Sequence, residues 1–254
     1  MKIVVLDGYA LNPGDLSWSP LESLGELVVH ERTTAADIAS RVAGAEAVLT
    51  NKTPLSKETI QAAASLKYIG VLATGYNVVD LAAAWEAGVA VTNIPTYGTD
   101  AVAQFAFALL LEVCHHVGHH GQSVAQGEWT KGADWCYWRY PLMELAGKTM
   151  GIVGFGRIGQ KAARIAEAFG MKVLAYDEKT NPNWLTPGAR YATLDELYAS
   201  SDVVSLHCPL SASNRDMINR LSIAKMKDGV ILINTARGGL VDEAALAEAL
   251  DSGK

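Results

Sequence analysis

Three glycines and one carboxylate carry the most specific chemistry in this sequence. Gly154, Gly156 and Gly159 follow the apolar run 149–153 in G-x-G-x-x-G spacing. An Ala-rich stretch over 160–169 then reads as a helix, and a second apolar run, 172–176, ends in Asp177. Strand, glycine turn, helix, strand and an acid about 20 residues on make a dinucleotide-binding βαβ unit. Gly154 permits the tight turn, Gly156 lets backbone N–H groups approach a pyrophosphate, and Gly159 lets the helix lie close on the strand. The helix N-terminus turns partial positive charge towards the phosphates. Asp177 can accept both adenosine ribose hydroxyls and repels a 2′-phosphate, so the expected cofactor is NAD. Glu178 adds a second negative charge there, with Lys179 the cation beside it. The bland alternative is a glycine-rich turn with no ligand, and the flanking strands argue against it.

Arg237 is the next candidate. It follows the apolar run 230–234, at the carboxyl edge of a parallel sheet, where ligands bind in doubly wound folds. A guanidinium there can hold a carboxylate and its neighbouring carbonyl oxygen through a planar fork. Taken alone, an Arg at this place reads as a surface ion pair. Thr74 and Gly75 follow another strand, and Gly75 permits close backbone approach or simply a tight turn. The run HHVGHH (His115, His116, His119, His120) has i,i+4 pairs that could chelate a metal. It reads as a polar helix end favoured by the macrodipole, and no metal is expected. His207 reads as a strand-end residue packing near the cofactor. Cys208 has no paired base to make it a nucleophile, and Cys136 reads as a packing residue.

These groups need elements to position them. Strands are expected at 3–6, 27–30, 47–50, 68–72 and 89–92, with helices 34–42, 57–64 and 79–87 between them. A loop over 94–100 leads to a long helix, 101–117, capped by Thr99 or Asp100. That helix is apolar on most faces and is expected to be buried where two domains meet. An aromatic stretch (Trp129, Trp135, Tyr137, Trp138, Tyr140) reads as a buried patch, at an interface or in a domain core. Strands at 149–153, 172–176, 203–206 and 230–234 then open a second series. The alternation predicts an α/β protein of two doubly wound parallel-sheet domains, 1–98 and 99–254.

Bulk properties exclude several function classes. The chain has 254 residues, 50% of them hydrophobic, and can bury a sizeable core. A net charge of −6 offers no basic footprint for nucleic acid or an anionic membrane surface. Its apolar runs are shorter than the ~20 residues of a membrane span. Residues 1–7 read as a first strand and not as a signal peptide. Three widely spaced cysteines suggest neither disulfides nor zinc. A cytoplasmic location is expected.

Four stretches together resemble the D-isomer-specific 2-hydroxyacid dehydrogenases. They are VLATGYNVVD (71–80), NIPTYGTDAVA (93–103), GIVGFGRIG (151–159) and DGVILINTARGGLVDE (228–243). The segments 97–100 and 135–138 look most like the glycerate dehydrogenase, or hydroxypyruvate reductase, branch. The resemblance implies a flavodoxin-like substrate domain and a Rossmann NAD-binding domain, with hydride passing between NAD and a small 2-hydroxy or 2-keto acid. It implies that Arg237 is catalytic and grips the substrate, and that Thr74 and Gly75 give backbone N–H groups to its carboxylate. Arg157 and Ile158 would line the pyrophosphate and adenosine. Cys208 and Pro209 would pack on the adenosine, Thr235 and Ala236 would reach the nicotinamide side, and Val102 would abut the nicotinamide. A homodimer is implied for the full-length protein.

The family's acid/base is a His oriented by a Glu, and the resemblance places both beyond Lys254. The wholly apolar run 230–233 reads as an interior strand needing a further neighbour. The chain is therefore expected to be a C-terminally truncated piece of a longer enzyme, its NAD-binding domain incomplete. The competing expectation is a non-catalytic, corepressor-like NAD-binding protein or an inactive fragment.

Overall fold

In the computed structural model, which describes all of Met1–Lys254, the chain forms two compact units, Met1–Gly98 and Thr99–Lys254. The first holds five parallel strands: β1 (Lys2–Val5), β2 (Glu26–Val29), β3 (Ala47–Thr50), β4 (Tyr68–Val71) and β5 (Ala90–Asn93). They lie in the order β2-β1-β3-β4-β5, the flavodoxin-like arrangement. Interior strands bury both faces, which is why β1 and β3 are apolar almost throughout. Val4, Val48 and Ile69 are buried on one face with Leu55 and Ile60; Ile3, Val5 and Leu49 are buried on the other against Leu11, Trp18 and Leu27.

The helices of this unit are shorter than the sequence pattern suggests. The expected helix 34–42 begins as a 3-10 turn (Ala35–Asp37) before the α-helix Ile38–Val42. The expected helix 79–87 starts only at Leu81, because Val79 bridges to Leu55 and Asp80 caps the helix through Ala83 N at 2.9 Å. Asp80 spends its side chain on an otherwise unsatisfied N–H, which halts the helical pattern there.

The second unit also has five parallel strands: β6 (Thr149–Val153), β7 (Lys172–Tyr176), β8 (Ala189–Tyr191), β9 (Val203–Leu206) and β10 (Ile231–Asn234). Their order, β10-β9-β6-β7-β8, read from β8 and counted within the unit is 3-2-1-4-5, that of dinucleotide-binding sheets. The three-residue β8 is too short to leave a periodic signal. Within these residues β10 pairs with β9 alone, and Ile231 and Leu232 are half-buried.

The long helix spans Thr99–His115, against the expected 101–117. His116 adopts a left-handed conformation (φ 48°) and ends it, and a second helix, Val117–Ala125, follows. Ala103, Ala106, Phe107 and Leu110 are buried, and Phe107 stacks on Phe169 with ring centres 5.7 Å apart. Phe105 and Val113 lie exposed, so the helix buries one face and not most of them. Trp129, Trp135 and Trp138 are exposed too, which places them outside the core. No single helix is long and apolar enough to cross a membrane; Thr99–His115 and Val117–Ala125 pass on length and composition only as a pair bent by 60°.

Ile69 is fully buried on the interior strand β4. Shortening it with Ile69→Ala removes apolar contact and leaves a cavity, at a cost of about 2–5 kcal/mol. The urea midpoint of the variant should fall accordingly; an unchanged midpoint would mean that this face of the sheet is not packed.

Candidate functional site

The glycine turn is built by contact. Gly154 follows β6 with φ +93°, and its N–H donates to Tyr176 O at 2.8 Å. A Cβ on Gly154 would stand 2.5 Å from Cys208 N, and one on Gly159 would stand 2.2 Å from Gly154 O. Neither carbon fits, because the neighbour in each case is backbone. Gly156 faces the opposite situation, with nothing within 4 Å of the Cβ position, so the space above it is free. The helix Arg157–Ala168 starts there, and no side chain caps its N-terminus. A tight turn, open space and an uncapped helix start fit the pyrophosphate of a dinucleotide.

Asp177 ends the neighbouring strand. Its Oδ2 accepts the N–H of Phe155 at 2.7 Å and its Oδ1 that of Lys179 at 3.0 Å. Two backbone bonds fix the carboxylate beside the glycine turn, and each oxygen keeps a lone pair for a ribose hydroxyl. The exposed Glu178 follows it. The residues present therefore fit NAD.

The ends of β9 and β10 complete this edge. His207 N donates to Val153 O at 2.7 Å, and His207 Nε2 lies 2.9 Å from Ser205 Oγ. The other ring nitrogen, Nδ1, and the hydroxyl of Thr235 are sealed from solvent without a partner. Burial pushes the His207 imidazole down to about 4, so the ring is neutral near pH 7. Burial, followed by the nearby Asp177 and Glu178 charges, raises the Cys208 thiol despite a backbone hydrogen bond, which keeps it protonated and unreactive. Asn214 Nδ2 holds Pro209 O at 2.8 Å and so sets the bend after β9.

Sequence reasoning passed over Asn234, although an Asn at a strand end is a recognised turn former. Its Oδ1 accepts Ala236 N at 3.0 Å and its Nδ2 donates to Arg237 O at 2.9 Å. The Thr235-Ala236-Arg237 turn is thereby locked, and Arg237 Nη1 donates to Ala236 O at 2.9 Å. Parallel pairing brings Gly154, Gly156, Arg157, Ile158, Gly159, Asp177, Cys208, Pro209, Thr235, Ala236 and Arg237 to one carboxyl edge. Val102, half-buried, sits on the helix that packs against Arg157–Ala168 and β10.

In the first unit, Thr74 and Gly75 lie beyond β4, again at a carboxyl edge. The Thr74 hydroxyl donates to Ile94 O at 2.9 Å, and Asn93 Nδ2 donates to Thr74 O at 2.9 Å. Two links to the segment at the end of β5 thus shape this loop. The histidine run behaves as an aromatic cluster: His116 and His119 lie 4.5 and 4.9 Å from the Tyr140 ring.

Comparison with known proteins identifies this arrangement. Residues 107–254 match the family model "D-isomer specific 2-hydroxyacid dehydrogenase, NAD binding domain". The whole chain is 56% identical to a hydroxypyruvate reductase of Blautia hydrogenotrophica, spanning 80% of that protein. The chain belongs to the D-isomer specific 2-hydroxyacid dehydrogenases. A glycerate dehydrogenase of Methylorubrum extorquens is 40% identical over 99% of the chain and 77% of its own length. The D-lactate dehydrogenase of Aquifex aeolicus, solved with NAD and lactic acid, superposes with a TM-score of 0.84 at 31% identity, covering all of this chain and 74% of that one. The family member described here is thus an NAD-linked oxidoreductase of 2-hydroxy acids, in the glycerate and hydroxypyruvate branch. All three relatives carry the names of enzymes, which does not favour the non-catalytic alternative.

The neutral His207 makes stability depend on pH. Its folded pKa, about 4, lies below the unfolded 6.5, so only the unfolded chain takes up this proton as pH falls through 6.5. Stability is complete above that value and is lost progressively towards pH 4; His30, also lowered by burial, acts in the same direction. The urea midpoint should drop between pH 7 and pH 5, and His207→Gln should flatten that slope. An identical slope in the variant would show that the ring is hydrated.

Proposed function

We propose that this protein reduces a short 2-keto acid, hydroxypyruvate foremost, to the D-2-hydroxy acid with NADH. Residues 1–98 present the substrate and residues 99–254 the cofactor. The observation that carries this reading is the locked Asn234–Arg237 turn on the same edge as the glycine turn and Asp177. The 56% identity to a hydroxypyruvate reductase along the whole chain supports the choice of substrate.

NAD supplies the hydride chemistry at its nicotinamide ring. Gly154, Gly156 and Gly159 let backbone approach the pyrophosphate, beside Arg157 and Ile158, and Asp177 accepts the adenosine ribose hydroxyls. Cys208 and Pro209 cover the adenosine. Thr235 and Ala236 reach the nicotinamide side, and Val102 lies against the nicotinamide face. Thr74 and Gly75 offer backbone N–H groups to the substrate carboxylate. Arg237 grips the same carboxylate and the carbonyl oxygen, and it stabilises the negative charge that grows on that oxygen. A guanidinium stays charged throughout, so Arg237 holds and polarises but delivers no proton. The proton comes from a separate acid/base, which family resemblance names as a His paired with a Glu.

The proposal extends to a homodimer in the cytoplasm. Exposed Trp129, Trp135 and Trp138 supply aromatic surface of the kind enriched in interfaces. Three free cysteines suit a reducing compartment.

The test follows NADH oxidation by the complete gene product with hydroxypyruvate, glyoxylate and pyruvate. Turnover of hydroxypyruvate is expected, and no turnover of any of the three sinks the proposal. Arg237→Ala should lower kcat/KM by about 10²–10³, the range for removing one oxyanion donor, with NADH affinity nearly unchanged. Equal losses in both would make Arg237 a structural residue.

A further inference from the structure

One carboxylate at the substrate edge has no part in the chemistry above. Asp7 lies just past the end of β1, two strands from the loop that holds Thr74 and Gly75. Its Oδ2 accepts backbone N–H groups from Asn51, Lys52 and Thr53 at 2.7, 3.1 and 3.2 Å. Its Oδ1 accepts the Thr53 hydroxyl at 2.6 Å. The Thr50 hydroxyl is shared between Asp7 Oδ2 at 3.0 Å and Thr53 O at 2.8 Å. Burial by itself would raise the Asp7 pKa, but the Asn51, Thr53 and Lys52 donors outweigh it and pull the group below the usual carboxylate range. A charged oxygen is what three consecutive N–H groups require, since such bonds are roughly twice as strong as neutral ones.

The segment that Asp7 clamps holds a second loop at both of its ends. Leu72 N donates to Thr50 O at 2.8 Å where that loop leaves β4. At the far end Leu55 N donates to Val78 O at 2.8 Å, and Asp80 N donates to Leu55 O at 3.0 Å. Residues 72–80 are thus bracketed by residues 50–55, of which 50–53 are bonded directly to Asp7. Thr74 and Gly75 lie inside the bracket. The carboxylate is half-buried, with four donors on Oδ2 and one on Oδ1, so its charge is largely compensated by the loop it holds.

We propose that Asp7 is a positioning residue for the 2-keto acid: its carboxylate fixes residues 50–53, and through them the placement of the Thr74 and Gly75 N–H groups. This rests on the reading of Thr74 and Gly75 as the carboxylate-binding loop. The inference concerns substrate affinity and not cofactor affinity, because Asp7 contacts nothing in residues 99–254 through any of its five hydrogen bonds.

The experiment is Asp7→Asn, which keeps the size and removes the charge. Amide hydrogen exchange should rise in residues 51–53 and, with them, in 72–80, while β1 and β3 stay protected. The dissociation constant of hydroxypyruvate, titrated in the presence of NAD⁺, should rise about tenfold, the loss of one charge-assisted hydrogen bond. NADH affinity, read from fluorescence, should stay within about twofold. Thr53→Val deletes one donor to the same carboxylate; it should shift exchange and affinity in the same direction by a smaller factor, and it serves if Asp7→Asn does not fold. Faster exchange confined to 51–53 with unchanged hydroxypyruvate binding overturns the proposal, as does parallel weakening of hydroxypyruvate and NADH. A Gly75→Val variant separates the underlying reading. If it leaves hydroxypyruvate binding intact while Asp7→Asn loosens 72–80, the loop assignment has failed and not the coupling between Asp7 and the loop.

Discussion

The turn after β6 packs so closely on the segment after β9 that no side-chain carbon fits between them. A Cβ at Gly154 would meet Cys208 N at 2.5 Å, and one at Gly159 would meet Gly154 O at 2.2 Å. With both carbons absent, the helix from Arg157 starts directly over the strand, and the space at Gly156 opens to a ligand. Parallel pairing does the rest. Once β6, β7, β9 and β10 run in one direction, every loop that leaves their carboxyl ends reaches the same edge. The edge therefore depends on a packing constraint at two glycines more than on any charged contact.

Polar side chains at strand ends then convert loose loops into fixed ones. Asp177 binds two backbone N–H groups, Asn234 locks the turn that leads to Arg237, and Asp7 gathers the loop after β3. Each replaces water at backbone groups that a strand end leaves unsatisfied. The energetic return per bond is modest, but the geometric return is large, because a reacting centre tolerates little misplacement. Buried neutral groups add a different element. His207 and Cys208 stand against the glycine turn in their uncharged forms, so this part of the edge presents little charge to a ligand.

The family and the cofactor were legible in the sequence, because the G-x-G-x-x-G spacing, the acid at 177 and the stretch 228–243 are local patterns. So was the division of the chain into strand-helix series. Element ends were less legible. Val79 looks like a helix residue by periodicity, yet it bridges to Leu55, and Asp80 caps the helix instead. The tryptophans of 129–138 fit an interface or a core by composition, and in this chain they stand exposed. In each case composition reports how apolar a residue is, but not which neighbour covers it.

By itself the sequence determined a dinucleotide site around Gly154–Gly159 and Asp177, since its parts lie within one βαβ unit and need only local geometry. The tertiary structure decided what that site stands against. Cys208 backs the turn that begins at Gly154, from a strand about 50 residues away in the chain, and parallel pairing alone brings it there. The same holds for Asp7, whose donors lie 43 to 46 residues along the chain. No spacing rule connects such residues. Contacts of that separation exist only once the strands have paired, and they set where the loops carrying the chemistry come to rest.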